Sequence, residues 1–220
     1  MKLAVLYSGG KDSNLALYKA SKYFEIACLI NIKPKSSESM IFHFPLSDLV
    51  KLQAEALNLP LIQIETGDEE REQIESLRKA LKIAKEKYKI EGVVTGAIRS
   101  FYQASRFQKI CYEMDLWCFN PLWLKKEEEI VKEILDLGFE VIITRLATYP
   151  FRKEFLGSKL DEKFLNYLKE IKANLAGEGG EYETFVLWMP LFKKRIWIEF
   201  EKVVKENEGE IIVKKAVLEY

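Results

Sequence analysis

Within the first 24 residues, a five-residue apolar run, two adjacent glycines and a helix-patterned segment follow one another without a gap. Leu3-Ala4-Val5-Leu6-Tyr7 reads as a short strand buried on both faces, the pattern of a central strand in a parallel sheet. Ser8-Gly9-Gly10-Lys11-Asp12-Ser13 turns the chain. Ser13 to Phe24 then sets Leu15, Ala16, Tyr18, Lys19 and Lys22 at helical spacing. Adjacent glycines let the backbone turn sharply and leave it open to a ligand with no side chain in the way. Free N–H groups of the loop and first helical turn converge on one spot, with the positive end of the helix dipole behind them. Lys11 adds a full charge, and Ser8 and Ser13 add hydroxyl donors. Such a nest suits a polyphosphate or pyrophosphate. It is not the ordinary P-loop, because the Gly-x-x-x-x-Gly-Lys-Ser/Thr spacing is absent.

The same alternation continues to about residue 120. Ile26 to Ile32 reads as a second strand, and residues 33–45, with two prolines and three serines, as a loop. Ser47 caps a helix carrying Leu49, Leu52, Ala56 and Leu57, which Pro60 stops. Leu61 to Glu65 is a third strand, Glu69 to Tyr88 a charged helix, Gly92 to Gly96 a fourth strand and Tyr102 to Met114 a helix. Strands alternating with helices of this length predict parallel strands joined by right-handed crossovers, an α/β doubly wound sheet. Past Pro121 the rhythm changes. A helix (Glu127–Leu137), a strand (Phe139–Arg145), a helix (Asp161 to about Ala173) and then mostly strand follow, with Glu208-Gly209 as a turn. Two domains are expected, 1–120 and a smaller α/β domain over 121–220, packed closely because no low-complexity linker separates them.

Composition narrows the classes of function. Apolar residues make up 48% and charged residues 31% of 220, enough for a real core. Lys plus Arg and Asp plus Glu number 34 each, so the chain lacks the basic excess of a general nucleic-acid coat. Cys28, Cys111 and Cys118 have no metal-ligand spacing and read as small buried hydrophobes. Met1 to Tyr7 is too short for a signal peptide, and no apolar stretch reaches the ~20 residues of a membrane span. A soluble, cytoplasmic protein in a reducing setting is expected, with no membrane contact.

Three motifs in order then carry a resemblance. Ser8 to Ser13 after the first strand resembles the PP-loop of the N-type ATP pyrophosphatases, in the adenine nucleotide α-hydrolase (HUP) superfamily. Gly96-Ala97-Ile98-Arg99-Ser100-Phe101-Tyr102-Gln103 with Arg106, and Gly177-Glu178-Gly179-Gly180-Glu181-Tyr182-Glu183-Thr184, resemble signatures of the diphthine–ammonia ligase family, in its short archaeal form. The resemblance implies ATP as cosubstrate, cleavage between its α and β phosphates, and magnesium held by Asp12. It also implies a protein acceptor, diphthine on elongation factor 2, and amidation to diphthamide. Free ammonia is the expected nitrogen donor, since neither a Cys after Met1 nor a glutaminase-like domain is evident. A homodimer is left open, and no stable nucleic-acid partner is expected.

Residue by residue, Ser8, Gly9, Gly10, Lys11, Asp12 and Ser13 are expected on the triphosphate. Ile30 and Asn31 are expected on the adenine through their backbone, with His43, the sole histidine, close to the nucleotide. Gly96 and Ala97 sit at the carboxyl end of the fourth strand, where open parallel sheets bind ligands. Ser100, Tyr102, Gln103 and Arg106 reach from there toward phosphates or the acyl group, with Arg106 suited to charge developing on the α-phosphate. Glycines interleaved with Glu178 and Glu181 argue for a tight loop presenting carboxylates. These can bind magnesium, orient ammonia or face a cationic substrate, and Tyr182 can meet a quaternary ammonium. Lys11, Asp12, Arg106, Glu178 and Glu181 form the expected catalytic set. Phe101, Ala104 and Trp188 depart from the family pattern on the acceptor side. Two other functions fit an ATP loop: modification of a tRNA base, and a nucleotide-binding regulatory module without turnover.

Overall fold

The structure, a computed structural model, describes residues 1–34 and 46–219. Five strands, β1 (Lys2–Leu6), β2 (Glu25–Pro34), β3 (Leu61–Thr66), β4 (Gly92–Val94) and β5 (Trp117–Phe119), form one sheet in the order β3-β2-β1-β4-β5. Every neighbouring pair in it is parallel. Leu3, Ala4 and Val5 are fully buried because β1 is central and covered on both faces. The crossovers are α1 (Lys11–Ser21), α2 (Leu46–Leu57), α3 (Glu70–Tyr88) and α4 (Phe101–Glu113). Leu15, Leu17, Leu49 and Val50 of α1 and α2 join the core on one face, and Leu77, Leu81 and Ile110 of α3 and α4 the core on the other. The expected doubly wound α/β sheet is therefore present.

The remaining chain builds α5 (Glu127–Asp136), β6 (Glu140–Ala147), a single 3-10 turn at Lys153–Phe155, α6 (Glu162–Glu170), β7 (Tyr182–Trp188), β8 (Arg195–Lys205) and β9 (Glu208–Glu219). Its four strands form an antiparallel sheet in the order β7-β6-β9-β8. Asp161 caps α6, its Oδ1 accepting from Phe164 N at 2.9 Å. The β8–β9 hairpin turns at Glu206-Asn207 rather than at Glu208-Gly209, with Glu206 in the left-handed region at φ +46°. The short strand β5 is also new. Its three residues carry no alternation to distinguish them from the tail of α4.

The antiparallel sheet does not stand apart from the first. Buried residues of α1, α2, β6, β7 and α6 share one core cluster. Val186 N of β7 donates to Gly9 O at 3.1 Å, so the second sheet hydrogen-bonds directly to the loop after β1. Among the described residues no helix is long and apolar enough to cross a membrane. His43 lies outside the described residues.

Candidate active site

The order of the first sheet reverses between β1 and β4, and ligands of open α/β sheets bind outside the carboxyl ends of the strands at such a switch point. A cavity of about 550 Å³ opens there, within the range of about 300–1,000 Å³ usual for small-molecule sites. It is lined from one side by Ser8, Asp12 and Ser13 after β1, and from the other by Gly96, Ala97 and Ser100 after β4. The two loops touch. A Cβ on Gly96 would lie 2.9 Å from Ser13 N and 3.0 Å from Asp12 C, so only glycine lets the β4 loop lie against the start of α1.

The loop itself is held by buried polar side chains that sequence reasoning missed. Gly9 takes φ +86°, and its carbonyl accepts from Asn14 Nδ2 (3.1 Å) and Gln53 Nε2 (2.9 Å). Gln53 also donates to Val186 O at 2.7 Å, clamping the loop to β7. Asn14 is fixed in turn by Tyr7 Oη, which donates to its Oδ1 at 2.6 Å. A glutamine among Leu49, Val50, Leu52, Ala54, Ala56 and Leu57 was the available signal, because a polar group on an apolar helix face needs partners. Ser13 Oγ donates to Gly10 O at 3.1 Å and lies 3.2 Å from Ser8 Oγ, so both hydroxyls sit at the mouth of the loop. Gly10, the N-cap of α1, supplies no side-chain cap, and the Lys11 N–H of the first turn donates instead to Thr184 Oγ1 of β7 at 3.2 Å.

Lys11 departs from expectation. It is 3% exposed and is not part of the cavity wall. Its Nζ donates to Asp12 Oδ2 (2.8 Å) and Ala176 O (2.6 Å) and sits 5.2 Å above the Tyr182 ring. Burial opposes its charge, but the Asp12 carboxylate, with Tyr182 and Glu178, outweighs burial and holds the ammonium above its ordinary pKa. A buried ammonium needs such partners, and the glycine–glutamate loop provides them. Lys11 thus ties the first motif to the third and orients Asp12, rather than projecting into the cavity.

The third motif divides. Glu178 lines the cavity. Burial, then the neighbouring Asp12 charge, raises its pKa, while the backbone N–H of Arg99 and the Lys11 ammonium pull the other way. All three motifs meet at this carboxylate. Glu181 does not reach the cavity wall: its carboxylate accepts from Asn174 N (3.1 Å) and Gly179 N (2.9 Å), closing the loop on itself. Tyr182 is 4% exposed, donates from Oη to Leu175 O at 2.6 Å, and is pushed up to about 12, chiefly by burial. Its ring packs under Lys11 and offers no open face to an incoming quaternary ammonium.

On the far wall, Tyr102 and Arg106 line the cavity, and a glutamate that the sequence reading passed over holds both. Glu70, in the first turn of α3, is hydrogen-bonded by Arg106 and Tyr102, and these bonds, Tyr102 first, lower its pKa. The Arg106 guanidinium carbon lies over the Tyr102 ring, 3.2 Å from its centroid. Arg106 is therefore in the expected place but faces Glu70. Gln103 is on the same helix, its side chain outside the described set. Ile30 and Asn31 line the cavity from the end of β2. Asn31 is fixed by donation to Tyr7 O at 2.8 Å and by acceptance from Gln63 at 2.9 Å.

Comparison with known proteins gives this arrangement a family. A model described as the diphthamide synthase N-terminal domain matches residues 1–117, and one described as the diphthamide synthase C-terminal domain matches residues 126–218. The chain belongs to the diphthine–ammonia ligase family. The diphthine–ammonia ligase of Bos taurus is 33% identical over 231 residues, covering 94% of this chain and 86% of its own length. That of Homo sapiens is 32% identical over 232 residues, covering 93% and 85%. The Schizosaccharomyces pombe protein is 33% identical over 231 residues, but the match spans only 38% of its length. A solved structure described as a predicted subunit of tRNA methyltransferase from Methanocaldococcus jannaschii covers 86% of this chain and 98% of its own at 18% identity. Its TM-score is 0.46.

Proposed function

We propose that the protein is an ATP-dependent amide ligase that joins ammonia to the carboxylate of diphthine on elongation factor 2, giving diphthamide, AMP and pyrophosphate. One observation carries the reading: Ser8, Asp12 and Ser13 of the first loop and Glu178, from separate motifs and opposite halves of the chain, line the same cavity. The relatives named diphthine–ammonia ligases align along both of those halves.

Backbone N–H groups of the first turn of α1 and the hydroxyls of Ser8 and Ser13 receive the triphosphate. The diphthine carboxylate attacks the α-phosphorus, the α–β bond breaks, and its electron pair leaves with pyrophosphate. Ammonia then attacks the acyl carbon, AMP departs with the electrons of the C–O bond, and nitrogen gives up a proton to solvent. The protein supplies position and charge rather than a covalent nucleophile. Arg106 can reach toward phosphate charge by exchanging Glu70 for it. Asp12 and Glu178 are the residues that would hold magnesium. Asp12 Oδ1 is buried without a partner among the described residues, and a pair of carboxylates beside a polyphosphate is the donor set that Mg²⁺ prefers. Bound there, the ion would neutralise phosphate charge as pyrophosphate leaves. No group of three metal-ligating side chains exists among the described residues, so phosphates and water would complete the coordination.

Purified protein given ATP, ammonium and diphthine-bearing elongation factor 2 should release AMP and pyrophosphate and add an amide to the acceptor. ADP as product, or AMP formation indifferent to ammonium with no amidated acceptor, would overturn the reading.

A further inference from the structure

The cavity is uneven. Toward β1 it is polar, whereas toward β3 it is walled by Ile30, Ile32, Ile74, Leu77, Phe107 and Ile110, an apolar slot between α3 and α4. Polar groups near that slot are largely occupied by one another: Glu70 with Tyr102 and Arg106, Gln73 with Asp68 O, and Asn31 with Tyr7 O and Gln63. Two residues of the lining, among those described, hold a buried side-chain oxygen with no hydrogen-bond partner: Asp12, through Oδ1, and Thr66, through Oγ1. Asp12 stands at the phosphate loop. Thr66, the last residue of β3, is 2% exposed and stands at the apolar end. With β2 between β1 and β3, the strands that lead to the two residues run about two inter-strand spacings apart, roughly 10 Å.

A buried hydroxyl without a partner costs stability, and a native site that tolerates one calls for an explanation. An apolar slot ending in one unpaired hydroxyl suits a flat aromatic base with a polar edge. We infer that Thr66 is a ligand-binding residue: the nucleotide base sits in the slot between α3 and α4, and Thr66 Oγ1 hydrogen-bonds the edge of the base. This rests on the proposal that the cavity takes ATP with its phosphates at residues 8–13. It assigns a direct contact to a residue that lies outside all three motifs.

Thr66→Val keeps the shape and removes the hydroxyl, so folding and binding should respond in opposite senses. Without nucleotide, the thermal midpoint should be equal or higher, because an unpaired buried hydroxyl has gone. ATP affinity by calorimetry should fall about fivefold, the net value of one hydrogen bond. Affinity for magnesium tripolyphosphate, which has no base, should not change, and Thr66→Ser should restore ATP binding. Unchanged ATP affinity in Thr66→Val, a lower midpoint without ligand, or an equal loss for tripolyphosphate would each overturn the inference. Wild-type protein with no affinity for ATP would instead remove the nucleotide reading, and this inference with it.

Discussion

Replacing Gly9 by alanine tests the loop geometry in three ways at once. Gly9 has φ +86°, where an L side chain costs roughly 1–2 kcal/mol. The added Cβ would also lie 2.7 Å from Gln53 Oε1, 3.1 Å from the Phe185 ring and 3.2 Å from Val50 Cγ2, all on buried residues. Gln53 cannot swing aside without giving up its bonds to Gly9 O and Val186 O, each contributing about 1 kcal/mol. The sum is roughly 3–4 kcal/mol, and at about 2–4 °C per kcal/mol for a chain of this size the midpoint should fall by roughly 10 °C. Gly180→Ala is the control. Gly180 also has positive φ (+84°), but a Cβ there meets nothing within 4 Å, so only the backbone cost remains, about 1 kcal/mol or roughly 3 °C. Differential scanning calorimetry of both variants, with ATP titrations beside it, reads the difference. Equal midpoints for the two variants would refute the claim that Gln53 and Phe185 clamp this turn, as would Gly9→Ala with wild-type nucleotide affinity.

Other changes separate roles within the site. Glu178→Gln should raise stability without ligand at neutral pH yet abolish magnesium-dependent turnover. The folded pKa of Glu178 is raised, so its contribution to stability is complete below the ordinary glutamate value and is lost as pH rises through the raised one. Melting curves between pH 4 and 8 should show the variant losing less stability across that window. Lys11→Met should weaken the hold on residues 176–182, seen as faster hydrogen exchange there, because Lys11 donates to Ala176 O and covers Tyr182. Glu70→Gln should leave the melting temperature nearly unchanged, since an exposed pair adds little, and should tighten pyrophosphate binding at low salt by releasing Arg106.

Where local pattern and chemistry coincide, the sequence is legible. The apolar run of β1, the glycine turn and α1 could be read because a buried parallel strand and a side-chain-free loop each leave an unmistakable composition. Gly96 and Ala97 were legible as the carboxyl end of the fourth strand, and both line the cavity there, but the close approach of Gly96 to the backbone of Asp12 and Ser13 has no local mark. What escaped depends on distant partners. The apolar neighbours of Gln53 signal that its amide needs partners, but not that Gly9 is one, and nothing local marks Glu70 as the holder of Arg106. In both cases the partners are dozens of positions away. That the Thr66 hydroxyl is left unpaired is set by tertiary packing. Lys11 and Glu181 show the reverse. Their motifs were evident, but burial and hydrogen bonding turn both side chains into supports for the loops. The three-residue strand β5 is set by its pairing with β4 rather than by its own pattern.

A structure with magnesium and α,β-methylene-ATP, which cannot be cleaved between the α and β phosphates, bears most directly on the whole account. Phosphates lying against residues 8–13, with the ion between Asp12 and Glu178, are the predicted result. Phosphates bound away from that loop, or an ion touching neither carboxylate, would contradict it.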